Sequence, residues 1–124
     1  MSPSRTHADQ KRGREAEALA AAFLARQGLV IVAHNVRSRY GEIDIVARDG
    51  ATLVFVEVRL RGSPAFGGAV ASITAQKQQR LWRAAQHYLA ELGQEPPCRF
   101  DAVLLEALDA NQLCWQRDIL HASR

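Results

Sequence analysis

Glu57 is the residue that first demands a chemical explanation. It interrupts Leu53-Val54-Phe55-Val56-Glu57-Val58, a run otherwise suited to a buried strand. An unpaired carboxylate there is costly or must take up a proton. Two more acids, Glu42 and Asp44, lie upstream in Gly41-Glu42-Ile43-Asp44, and two cations, Arg59 and Arg61, follow downstream. Between the groups, Asp49-Gly50 reads as a two-residue hairpin turn, because both residue types tolerate positive φ. With those two as the loop, Arg48 faces Ala51, Asp44 faces Phe55 and Glu42 faces Glu57. Side-chain parity then puts Glu42, Asp44, Glu57 and Arg59 on one face. Asp44 and Glu57 become diagonal neighbours, about 7–8 Å apart at the backbone and near enough to meet around one ion. Two arrangements relieve the repulsion: Arg59 and Arg61 pair with the acids, or a divalent cation does. Oxygen-rich sets of this kind suit hard cations such as Mg²⁺.

The elements that must position these groups follow from periodicity. Residues 1–10 are polar, carry Pro3 and read as a flexible tail ahead of a single domain over residues 11–124. From Lys11 to Gln27, apolar residues at Ala16, Leu19, Ala20, Phe23 and Leu24 give a helical spacing on an Ala-rich background, with Gly28 at its end. Strands are expected over Leu29–Val36, Glu42–Arg48 and Thr52–Leu60, then a loop marked by Gly62, Pro64, Gly67 and Gly68. A second helix starts near Ser72 or Thr74, carries a stripe of Leu81, Ala85, Tyr88, Leu89 and Leu92, and stops at Gly93 before Pro96-Pro97. Cys98–Leu105 and Leu113–Leu120 read as the last two strands. The order α-β-β-β-α-β-β implies an α+β domain, a mixed sheet flanked by helices.

Composition narrows the function classes. At 124 residues, with 48% hydrophobic and 23% charged, the chain is sized and balanced for one folded domain. Its longest apolar run, Ala18 to Ala25, is far short of the ~20 residues that cross a bilayer. The first ten residues hold no apolar stretch for a signal peptide, so a cytoplasmic protein is expected. The formal charge is only +3, yet all its cations except Lys11 and Lys77 are Arg, the side chain suited to bidentate phosphate contact. Cys98 and Cys114 are too few for a zinc site and are expected to be reduced, buried thiols. The four His show no metal-ligand spacing, and Trp82 and Trp115 are expected in the core or an interface.

Gly41-Glu42-Ile43-Asp44 followed by Phe55-Val56-Glu57-Val58-Arg59 resembles the active-site signature of the restriction-endonuclease-like PD-(D/E)xK superfamily. In that signature an Asp closes one strand and Glu-x-Lys follows on the next. The match is closest to the YraN family of small bacterial proteins predicted to be nucleases. It spans roughly Gly13 to Leu105 and includes Gly13-x-x-x-Glu17, Asn35-Val36-Arg37, Phe66-Gly67, Thr74 with Lys77, and Arg99-Phe100-Asp101. The Gly-x-x-x-Glu helix and acidic hairpin are also similar to archaeal Holliday-junction resolvases. The resemblance implies Mg²⁺ or Mn²⁺ ligands at Asp44, Glu57 and the Val58 carbonyl, with Glu17 approaching from the first helix. Glu42 would stand behind the ligands or at the surface beside the turn, Asp101 behind the ligands or in a structural role, and Lys77, Arg37, Arg39 and Arg61 would contact nucleic acid. Arg59 departs from the usual Lys. Arg stays protonated, so it could neutralise charge on a scissile phosphate but could not act as the base.

The resemblance thus implies a metal-dependent endonuclease acting on DNA, with branched DNA and a homodimer suggested by the resolvases. Two other readings share the fold: a nucleic-acid-binding module without turnover, and an adaptor whose acids form an ion-pair network. The first needs divalent metal and cuts, the second binds without cutting, and the third does neither.

Overall fold

The computed structural model describes residues 7–60 and 74–120. Its elements are α1 (His7–Arg26), β1 (Val30–Ser38), β2 (Gly41–Asp49), β3 (Thr52–Leu60), α2 (Ala75–Leu92), β4 (Cys98–Leu105) and β5 (Leu113–Gln116), with a 3-10 turn at Ala110–Gln112. The strands form one five-stranded sheet in the order β1-β2-β3-β4-β5. Only the β3–β4 pair is parallel; the other three are antiparallel. The expected α+β architecture and element order hold. A parallel neighbour requires a crossover, and α2 supplies it, so the start of α2 is delivered to the end of β3 where Glu57 and Arg59 lie.

Each helix covers one face. On one side Ala16, Ala20 and Leu24 of α1 pack with Ile45, Ala47, Val54, Val56 and Val58. On the other, Leu81, Ala84 and Ala85 of α2 pack with Val46, Leu53, Phe55 and Phe100. Strand β3 feeds both layers by strict alternation, which is why its sequence is almost continuously apolar. Each such buried side chain contributes about 1.5–3 kcal/mol. Helix α2 has both punctuation marks: Thr74 Oγ1 accepts the Lys77 N–H at 3.2 Å, and Gly93, at φ 73°, closes the helix with its N–H on Leu89 O.

Several boundaries differ from expectation. Helix α1 begins at His7, so residues 7–10, expected as tail, are helical. A first turn needs no apolar partner, and nothing after Pro3 forbids helix there. Strand β5 ends at Gln116 instead of Leu120. The β2–β3 hairpin turns on Gly50 and Ala51, not Asp49-Gly50, since Asp49 pairs with Thr52. Gly50 has φ 61° and Ala51 does not share the positive sign, as in a turn with glycine in its first central position. The register therefore moves by two residues, and parity survives the move. Cys114 is exposed and Cys98 half-buried, against the expected burial; β5 is an edge strand whose alternation turns Leu113 and Trp115 inward.

A buried acid fastens the far edge. Asp101 has no exposed surface and accepts from Arg99 Nε at 3.1 Å, Trp115 Nε1 at 2.9 Å and the Asp118 N–H at 3.0 Å. Arg99 reaches on to Asp49 at 2.9 Å. Beyond β5 the chain changes sides: Trp115 meets Phe23 of α1 edge-on, whereas Leu120 is buried in the α2 layer.

Candidate functional site

The β2–β3 ladder stops at Ile45 and Val56. Ile45 packs against the α1 layer, but Ile43, two residues earlier, packs in the α2 layer. A regular strand would put both on one face, so the strand turns over at Asp44. The Asp44 side chain is aimed edgewise, and its Oδ2 accepts the Val58 N–H at 2.8 Å. A carboxylate thus takes the place of a strand neighbour. An extended residue shows its N–H and C=O to the same neighbour, which turns the Val58 carbonyl towards the same gap.

Glu57 is the next residue of β3, and its side chain hydrogen-bonds Asp44. The expected convergence of these two acids therefore holds, as near-opposed residues and not as diagonal ones. Glu17 comes down from α1 and completes the group. Ligand oxygens of Glu17, Glu42 and Asp44 all lie within 4.8 Å of one another. Burial, first, and then the Glu57 charge raise the Asp44 carboxyl well above the usual range; the Val58 N–H opposes this. Glu17 is also raised, mainly by burial, with a bond from the Asn35 side chain acting against it. Burial and facing carboxylates thus favour the neutral form of both groups over the charged one.

The Arg59 guanidinium pairs with Glu57, and its buried Nε has no partner among the described residues. Lys77, one turn into α2, lies within electrostatic reach of Arg59, Glu57 and Arg80, and burial lowers its pKa first among these causes. Glu42 is exposed and pairs with Arg37 at 3.2 Å, so it faces Arg37 across the β1–β2 ladder instead of facing Glu57. Arg39 is exposed between β1 and β2 and donates to Tyr40 Oη at 2.7 Å. Arg61 and Phe66-Gly67 lie outside the described residues. Asp101 is not part of this group: its partners are Arg99, Trp115 and Asp118, and its role is the structural one described above. The sequence reading passed over His34 and gave no role to Asn35, both of which face Glu17. Asn35 carried one signal, a residue type that tolerates the left-handed region inside a strand.

Comparison with known proteins places the chain. The model of the family described as "Uncharacterised protein family UPF0102" matches residues 16–105. The chain belongs to UPF0102. The matched span takes in Glu17, Asn35, Glu42, Asp44, Glu57, Arg59 and Lys77, and stops before β5. A UPF0102 protein of Methylobacillus flagellatus is 53% identical over 110 residues, covering 89% of this chain and 96% of its own length. One from Nitrosomonas europaea is 52% identical over 112 residues, 90% of this chain and 95% of its own. One from Cupriavidus necator is 60% identical over 99 residues, 78% of this chain and 75% of its own. UPF0102 membership thus rests on nearly the whole sheet and both helices. No helix among the described residues is long and apolar enough to cross a membrane.

Proposed function

We propose that this protein is a divalent-metal-dependent nuclease hydrolysing phosphodiester bonds of DNA, with branched or otherwise structured DNA as its substrate. The observation that carries this reading is the convergence of Glu57 and Glu17 on Asp44 at the point where β2 leaves β3, with the Asp44 carboxyl pKa raised by burial first and by the Glu57 charge next. A purely structural ion-pair network would pair each acid with a cation; among the described residues Arg59 pairs with Glu57 and Arg37 with Glu42, while Asp44 and Glu17 have no ion pair. The donor set fits a hard cation: carboxylates of Asp44 and Glu57 and the carbonyl of Val58 would hold Mg²⁺ or Mn²⁺. When bound, such an ion supplies Lewis acidity towards water and phosphate.

The protein's own groups do the rest. Glu17, bonded to Asp44, is placed to orient a water and accept its hydrogen bond. Arg59, held by Glu57, keeps a permanent positive charge beside the acids and would neutralise charge developing on the scissile phosphate. Lys77 and the first N–H groups of α2 offer an anion contact next to Arg59. Arg37, Arg39 and Arg61 would extend the contact along the nucleic-acid backbone. A homodimer would present two such centres to the two strands of a branched substrate.

The fixed charge of Arg59 favours one competing reading, a module that binds nucleic acid without cutting it. Calorimetric Mn²⁺ titration of wild type, Asp44→Asn and Glu57→Gln, beside cleavage assays on duplex, single-stranded, flap and four-way DNA, separates the two. Metal uptake and cutting by the wild type alone are expected. Salt-sensitive DNA binding with neither would select the binding module.

A further inference from the structure

Strands β1 and β2 share an irregularity that regular pairing does not require. Val36 opposes Ile43, and Ala33 opposes Val46. All four side chains belong to the α2 layer, although members of each strand are three residues apart. Strict alternation would put residues three apart on opposite faces. Each strand therefore takes one extra step between these pairs, where His34 opposes Ile45 and the register brings Asn35 opposite Asp44. In β1 the step is made by Asn35 itself, at φ 51° in the left-handed region. Such a conformation is strained for a residue with a side chain, and least so for Asn. The Asn35 side chain faces the Glu17 carboxylate and opposes the rise in its pKa, and the ligand oxygens of Glu17 and Asp44 lie within 4.8 Å of each other.

From this arrangement we infer that Asn35 is a positioning residue: its left-handed turn aims the side-chain amide at Glu17 and fixes that carboxylate against Asp44. The inference rests on the metal-site reading above and adds the device that holds its third acid. Hydrogen bonding from a neighbour is what normally orients a ligating carboxylate. The strain has a use here, since an ordinary extended residue would leave Asn35 and Asp44 on a regular ladder and Glu17 without a donor. His34 faces Glu17 as well and is exposed, as Asn35 is, but its backbone is regular.

The test is Mn²⁺ affinity by calorimetry, run with urea unfolding on the same full-length samples. Asn35→Gly keeps the backbone at ease and removes the amide. Unchanged or raised urea stability is expected, with Mn²⁺ affinity falling about tenfold or more. The same substitution in a Glu17→Gln background should cost no further affinity, because Asn35 acts through Glu17. Asn35→Asp, which tolerates the conformation but cannot donate, should lose affinity as well and decides the matter should the glycine variant not fold. Wild-type affinity in the folded variants would overturn the role while Asp44→Asn still abolished uptake and kept the metal reading. A further loss in the Glu17→Gln background would overturn it too. No Mn²⁺ uptake by the wild type would sink both.

Discussion

Asp44 and Asp101 lie on one sheet and meet opposite surroundings. Asp101 is fully buried and is answered by an Arg side chain, an indole N–H and a backbone N–H. Asp44 is answered by one backbone N–H and otherwise faces Glu57 and Glu17. Asp101 is fully buried and Asp44 half-buried, and only the first is compensated. A carboxylate whose lone pairs are filled by donors holds structure together, whereas one held against other carboxylates stores a demand for positive charge. Position in the sheet explains how each is tolerated. Asp101 sits mid-strand on β4, while Asp44 sits where the β2–β3 ladder ends.

The contrast breaks most visibly in stability. Asp101→Ala should cost about 3–5 kcal/mol in urea unfolding, because it leaves the Trp115 and Asp118 N–H groups without their acceptor and Arg99 with Asp49 alone. Asp44→Asn should move the other way. Its amide can donate to Glu57 or Glu17 while its oxygen still accepts from Val58, so metal-free stability at neutral pH should rise by about 1 kcal/mol as Mn²⁺ uptake disappears. A loss as large as that of Asp101→Ala would make Asp44 a structural acceptor and erase the contrast.

The pH dependence sharpens the same point. Asp44's folded pKa is raised, so the folded state binds its proton more tightly than the unfolded chain does. That stabilisation is full below the ordinary carboxyl pKa and is lost as pH rises through the folded value. Metal-free wild type should therefore lose stability, relative to Asp44→Asn, as pH rises from about 4 towards neutral. Added Mn²⁺ should reverse the trend, since it competes with protons for the same oxygens. Thermal unfolding across pH, with and without the ion, checks both. Smallest of all, Arg37→Ala should change stability by less than about 0.5 kcal/mol, because its pair with Glu42 is exposed.

How far the sequence reached depended on the kind of signal. Strands β3 and β4 could be bounded to the residue because Asp49-Gly50 and Gly62 bracket β3 and Pro96-Pro97 precedes β4. Asp44 and Glu57 could be brought together despite a wrong turn, because a two-residue register shift preserves parity within the ladder. The single face expected for Glu42, Asp44, Glu57 and Arg59 fails where β2 turns over at Asp44. Lys77 could be placed at the start of the second helix, but its proximity to Arg59 comes from the crossover that joins β3 to β4. Asn35 was opaque: a left-handed residue inside a strand is set by tertiary contacts with Glu17 and leaves no periodicity behind. The same holds for Asp101, whose donors come from residues as far along as Trp115 and Asp118.

The stretch from Trp115 to Leu120 acts as a clasp across the sheet, starting against one helix and finishing under the other. Asp101 grips it midway, and Ile119 N–H closes on Phe100 O at 2.7 Å. A single backbone cut after the exposed Arg117 would withdraw Leu120 from its layer and remove a donor from the buried acid together. One nicked bond would then loosen both sides of the molecule at once.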